Sequence, residues 1–146
     1  MSMIIQVVAA FVGSIGFAIF FKMKGRQILL AGLGGAVTWV IYLLWQQQIE
    51  GYFIPYFIAA IFVAIYAEIM ARVNRAPATI FLTAAAVPLF PGGSLYYTMA
   101  GLVNGDEMLF SKSGTDTLTI ALAISLGFVV VALITKYITG ISSQRK

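Results

Sequence analysis

Apolar residues run through this chain in long blocks, at residues 3–21, 28–45, 53–71, 78–103 and 117–138, and polar residues collect in the short stretches between them. A hydrocarbon layer is about 30 Å thick and takes about 20 apolar residues of helix to cross. Each block therefore has the length of one crossing. The pattern predicts an all-α integral membrane protein of five transmembrane helices, with residues 1–146 forming a single transmembrane domain. The first block is followed, not preceded, by the basic residues Lys22, Lys24 and Arg26, the reverse of a signal peptide, so it reads as a retained helix.

The fourth block differs from the rest, because it holds Pro88, Pro91, Gly92 and Gly93 in the run PLFPGGSLYYTMAGLVNGD. Each proline removes an amide donor and pushes the residue before it out of helical dihedrals, while glycine opens conformations closed to other residues. From Ala78 to Val87 is about 15 Å of helix, half of the layer, so the fourth helix is expected to break near the midplane at Pro88–Ser94. Backbone groups freed at that depth need protein or a water-lined cavity to satisfy them. A kinked but continuous helix with a glycine packing notch is the alternative. Beyond the break, at about 100° per residue, Ser94, Tyr97, Thr98, Gly101, Asn104 and Gly105 share one polar or small face. Such a face lines an aqueous path or packs on a polar neighbour.

Stripes of small residues predict close helix contacts: Gln6, Ala9, Ala10, Gly13 and Gly16 on the first helix, and Ala31, Gly34, Gly35 and Thr38 on the second. On the third helix Glu68 shares a side with Ala60, Ala64 and Ala71. It is either a protonatable group facing a partner helix or water path, or a near-interface carboxylate that snorkels and pairs with Arg72.

Charge then sets a direction. With the amino terminus outside, five crossings place Lys22, Lys24, Arg26, Arg72, Arg75, Lys136, Arg145 and Lys146 in the cytoplasm, and Lys112, Glu50, Asp106, Glu107 and Asp116 outside. Basic residues favour the cytoplasmic face, so the expectation is amino terminus out and carboxyl terminus in, in a multi-pass cell (plasma or inner) membrane protein.

Composition narrows the chemistry. The chain is 61% hydrophobic and 10% charged, with no cysteine and no histidine. Thiol sites, haem ligation, His-based metal sites and Ser-His nucleophile pairs are excluded, and the five acids lack metal-ligand spacing. The reading is therefore of a non-enzyme with no cofactor, no metal and no nucleic-acid partner; its basic residues act as a topology signal among membrane lipid. The half-helix beginning near Ser94 would aim its amino end at the break, where a carboxylate is favoured, and the preceding half would aim its carbonyl end there. A zwitterionic amino acid suits both ends. A small dicarboxylate uses only the first and needs a basic group from elsewhere. An odd number of crossings also suits one half of an inverted repeat, which calls for a partner chain.

The run PLFPGGSLYYTMAGLVNGD, the five blocks and the 146-residue length resemble the small subunit of the threonine/serine exporter family, which looks like the carboxyl-terminal half of the single-chain exporters. Pro91, Gly92, Gly93, Ser94, Tyr96, Asn104 and Asp106 carry the motif. The resemblance implies a ten-span secondary transporter formed with a larger five-span subunit, exporting threonine, serine or related small carboxylates on the proton gradient. On this reading Gly92, Gly93 and Ser94 bind the substrate carboxylate, Tyr97, Thr98 and Asn104 line the outward path, and Asp106 and Glu68 are the proton-carrier candidates. The rival readings are an exporter of dicarboxylates such as succinate, a small self-assembling channel, and a structural membrane subunit.

Overall fold

A computed structural model describes residues 2–143; Arg145 and Lys146, expected on the cytoplasmic side, lie outside the described residues. The helices are α1 (Met3–Phe20), α2 (Arg26–Gln46), α3 (Phe53–Asn74), α4 (Ala78–Ala86), α5 (Gly92–Asn104) and α6 (Glu107–Ser143), with a 3-10 turn, Val87–Leu89, after α4. No strand occurs among the described residues. Four helices are long and apolar enough to cross a membrane, or five crossings if α4 and α5 are one bent segment.

Small residues bring the helices together. On α2 the predicted seam is the one used: Ala31, Gly34, Gly35 and Thr38 are all buried. On α1 the seam is rotated from the expected stripe, to Ala10, Ser14 and Ala18. Gly13 and Gly16 have nothing within 4 Å of where a Cβ would stand. The reason lies in the notches of α2, since Phe11 and Ile15 fill the space over Gly32 and Ser14 fills that over Gly35. The larger side chains that fit the notches choose the face, not the smallest residues. The α4 helix sits among α1, α2 and α3 and buries Phe81, Ala84, Ala85 and Ala86. The Tyr66 hydroxyl donates to the Leu30 carbonyl at 2.7 Å and ties α3 to α2.

The last helix departs from the hydropathy reading. An apolar run begins at Thr117, but α6 begins at Glu107 and has 37 residues, about 55 Å of helix. Gly105, at φ +69°, ends α5 in a left-handed turn in which the Asp106 amide reaches the Gly101 carbonyl at 2.9 Å. Asp106 then starts α6, its Oδ1 accepting the Leu109 amide at 3.0 Å. Residues 107–116 are thus helical through capping and packing on α5, neither of which hydropathy registers.

Charges segregate along the bundle. Met23 packs with Ala67 and Phe81, and Arg72 shares a groove with Thr135 and Ile138, so the α1–α2 turn, the α3–α4 turn and the late part of α6 occupy one end. That end carries Lys22, Lys24, Arg26, Arg72, Arg75 and Lys136. Gly127 of α6 meets Ala60 of α3 nearer the other end, so these two helices run parallel and place Asp106, Glu107 and Asp116 opposite the basic cluster, with Glu50 and Lys112.

Candidate functional site at the bend between α4 and α5

The prolines stand at a sharp bend, whereas the two glycines do not take the special conformations expected of them. The axis turns by 59° between the α4 segment and α5. Pro91, at φ −77° and ψ 52°, forms a tight turn in which the Gly92 amide reaches the Phe90 carbonyl at 2.7 Å. Gly92 and Gly93 then belong to the first turn of α5 with ordinary helical backbone, so they are not there for special dihedrals. A Cβ at either would meet nothing within 4 Å. What glycine supplies here is open space beside the helix's amino end.

That end carries no side-chain cap. The Leu95 amide bonds the Pro91 carbonyl at 2.9 Å and the Gly92 amide is held in the turn by Phe90, which leaves the Gly93 and Ser94 amides as the first-turn donors without an intrahelical acceptor. Ser94 does not cap them; it is half-buried, and its carbonyl accepts from the Thr98 hydroxyl at 2.7 Å. The bend is displaced from the middle of the bundle. Leu89 packs with Tyr42, Tyr56 and Ala60, and the latter two lie in the first third of α3, toward the acidic end.

Beside the bend lies an open groove of about 290 Å³, lined by Gln6, Ala9 and Gly13 of α1, Trp39 of α2, and Val87 and Pro88. The Trp39 indole donates to Gln6 Oε1 at 3.3 Å. Behind it, Trp39 and Tyr42 lie 4.6 Å apart by ring centroids, and Tyr42 and Tyr56 4.5 Å. Sequence reasoning placed Gln6 only in a packing stripe and passed over Trp39. The available signal was two hydrogen-bonding side chains inside apolar blocks, without a periodicity that joins them.

The other expected residues divide into two groups. Thr98 faces α6, with its Oγ1 3.4 Å from that of Thr117, and Gly101 lies directly on the Phe110 backbone. This part of the polar face of α5 is a seam with the helix that follows. Tyr97, Asn104, Gly92 and Gly93 are exposed, with Tyr97 edge-on to Tyr96 at 5.4 Å. Asp106 caps α6, and Glu68 accepts from Arg72 at 3.2 Å, far from the bend. Among the described residues no group of three or more acids is placed to hold a metal ion.

The family profile described as "Threonine/Serine exporter, ThrE" matches residues 6–134, from Gln6 in α1 to Ile134 in α6. The chain belongs to the threonine/serine exporter family. The match spans the groove, the bend and the α5–α6 hairpin together. A search of the curated proteins finds no match, and neither does a search of the solved structures. Family membership and the apolar helices point to a multi-pass membrane protein of exporter-type transport.

Proposed function

We propose that the chain is one subunit of a two-component secondary transporter that exports small amino acids of the threonine/serine type, driven by the proton gradient. The observation that carries this reading is the uncapped amino end of α5, opened by Gly92 and Gly93 and set at the bend. Amides at a helix start bind carboxylates, and the partial positive charge of the helix end adds to the attraction. In this reading Gly92, Gly93 and Ser94 take the substrate carboxylate. Tyr97 and Asn104 border its path, and Thr98 holds the half-helix against α6 where the path begins. The neighbouring groove favours an amino acid over a dicarboxylate, since its polar groups are the neutral Gln6 amide and Trp39 indole and no basic residue lines it.

The α4 and α5 helices form one broken crossing in this proposal, which gives five crossings and leaves the second wall of the site to a larger five-span partner of the same family. The proposal keeps the amino terminus outside and the basic end in the cytoplasm of a cell (plasma or inner) membrane, a reading supported by the gathering of basic residues at that end. Proton coupling is assigned first to Asp106, on the hairpin that carries the site, and second to Glu68.

Export of labelled threonine from cells carrying the complete exporter tests the reading. Gly93→Leu fills the open space and is expected to lower export by at least about tenfold while the protein level in the membrane stays unchanged. Unchanged export would remove the bend from the substrate path. Asp106→Asn and Glu68→Gln are compared for gradient-driven flux; coupling that survives both removes them as carriers.

A further inference from the structure

A second groove lies on the opposite side of α3 from the bend, between α3 and α6, with a volume of about 240 Å³. The two helices touch closely where Gly127 meets Ala60, and the groove opens beyond that contact toward the basic end. It runs from Ile61 to Arg72 along α3, about 17 Å at the helical rise, which is the length of a common fatty acyl chain. Its walls are β-branched, among them Ile65, Ile69, Val131 and Ile134. Such side chains have few rotamers, so the groove does not close by rearrangement.

The mouth is charged in a particular way. Arg72 donates to Glu68 Oε2 at 3.2 Å, and the two side chains are 62% and 31% exposed. One guanidinium nitrogen is engaged, so most of its donors are directed to the surroundings, as is the second carboxylate oxygen of Glu68. A cation and an anion side by side at the end of an apolar groove complement a zwitterionic headgroup with a phosphate and a primary amine.

We infer that the α3–α6 groove is a binding site for an ethanolamine phospholipid, with an acyl chain along Ile65, Ile69 and Ile134, the phosphate on Arg72 and the ammonium on Glu68. The primary amine is what distinguishes this lipid from its choline counterpart, since a quaternary ammonium has no N–H to donate to the carboxylate. The inference shares Glu68 with the transport reading but does not rest on it, because the groove is apart from the bend and is read by lipid binding alone.

The test is native mass spectrometry of the full-length chain in detergent micelles holding equal amounts of ethanolamine, choline and glycerol phospholipids of one acyl composition. One ethanolamine phospholipid is expected to stay bound, in preference to the choline lipid by about tenfold. Arg72→Gln, a change at an exposed position, and Ile65→Trp, which fills the groove, are each expected to abolish retention. Glu68→Gln is expected to keep a bound phospholipid but lose the preference for ethanolamine. Retention unchanged in both Arg72→Gln and Ile65→Trp, or equal retention of the three lipids by the natural chain, would overturn the site. So would efficient cross-linking of single cysteines at Ile65 or Ile134 to a second protein chain in membranes, which would make the groove a protein seam.

Discussion

Gly35 has no room for a side chain, because Ser14 of α1 occupies the space that a Cβ would need. Gly35→Ala is therefore expected to destabilise the bundle by about 2 kcal/mol, the usual scale of overpacking, and Ser14→Gly is expected to restore part of the loss. Thermal unfolding of the two single variants and the double variant in detergent measures both; additive losses would mean the residues do not touch. Gly93 is the opposite case. A methyl group there meets nothing, and alanine is a better helix former by about 1 kcal/mol, so Gly93→Ala is expected to leave unfolding unchanged or raise its midpoint. From sequence both glycines look alike, each in a Gly-Gly pair within an apolar block. What separates them is the neighbour supplied by another helix, which one chain position does not reveal.

The α5–α6 hairpin is the element that hydropathy read least well. A Cβ on Gly101 would stand 2.6 Å from the Phe110 amide nitrogen and 2.9 Å from its Cα. Backbone cannot swing aside as a side-chain tip can, so Gly101→Ala is expected to pry the hairpin apart. Hydrogen exchange checks this, with faster exchange confined to residues 92–119 as the expected result and uniform exchange as the contrary one. Asp106→Ala removes the cap of α6 and is expected to cost about 1 kcal/mol, read as loss of helical signal at the hairpin before the rest of the bundle melts. The capping role follows from Gly105 and Asp106 in succession, a stop followed by a start. That signal is present in the sequence, yet a search for apolar runs passes over it because Glu107, Lys112 and Asp116, with Ser111, Ser113 and Thr115, interrupt the first ten residues of the helix it opens. The bend was legible for a firmer reason: Pro88 and Pro91 forbid regular helix whatever surrounds them.

At the scale of the whole molecule, the long apolar blocks gave the membrane class and the approximate helices, since span length is set by the thickness of the layer. The gathering of basic groups at one end was also legible, because the parity of the turns alone decides which loops share an end. The position of the bend was not. Counting along α4 puts it at the middle, whereas packing of Leu89 on Tyr56 and Ala60 draws it toward the acidic end, and the groove of Gln6 and Trp39 exists only because α1 and α2 meet there. The exposed apolar residues of α5, such as Leu95, Met99 and Val103, lie on a helix that packs only on α6 among the elements in close contact. In the proposed two-component assembly this is the face that the partner subunit would cover, supplying the second wall of the site.

The central claim is that the amino end of α5 receives the substrate's carboxylate, and the absence of native cysteine gives it a direct measurement. A single cysteine in place of Ser94, in membranes carrying the complete exporter, is to be labelled with a small aqueous thiol reagent in the presence and absence of threonine. The account predicts labelling that threonine slows severalfold and that threonine amide, which lacks the carboxylate, does not slow. A Ser94 position that resists the reagent from both faces of the membrane, or one labelled at the same rate with and without threonine, would contradict it.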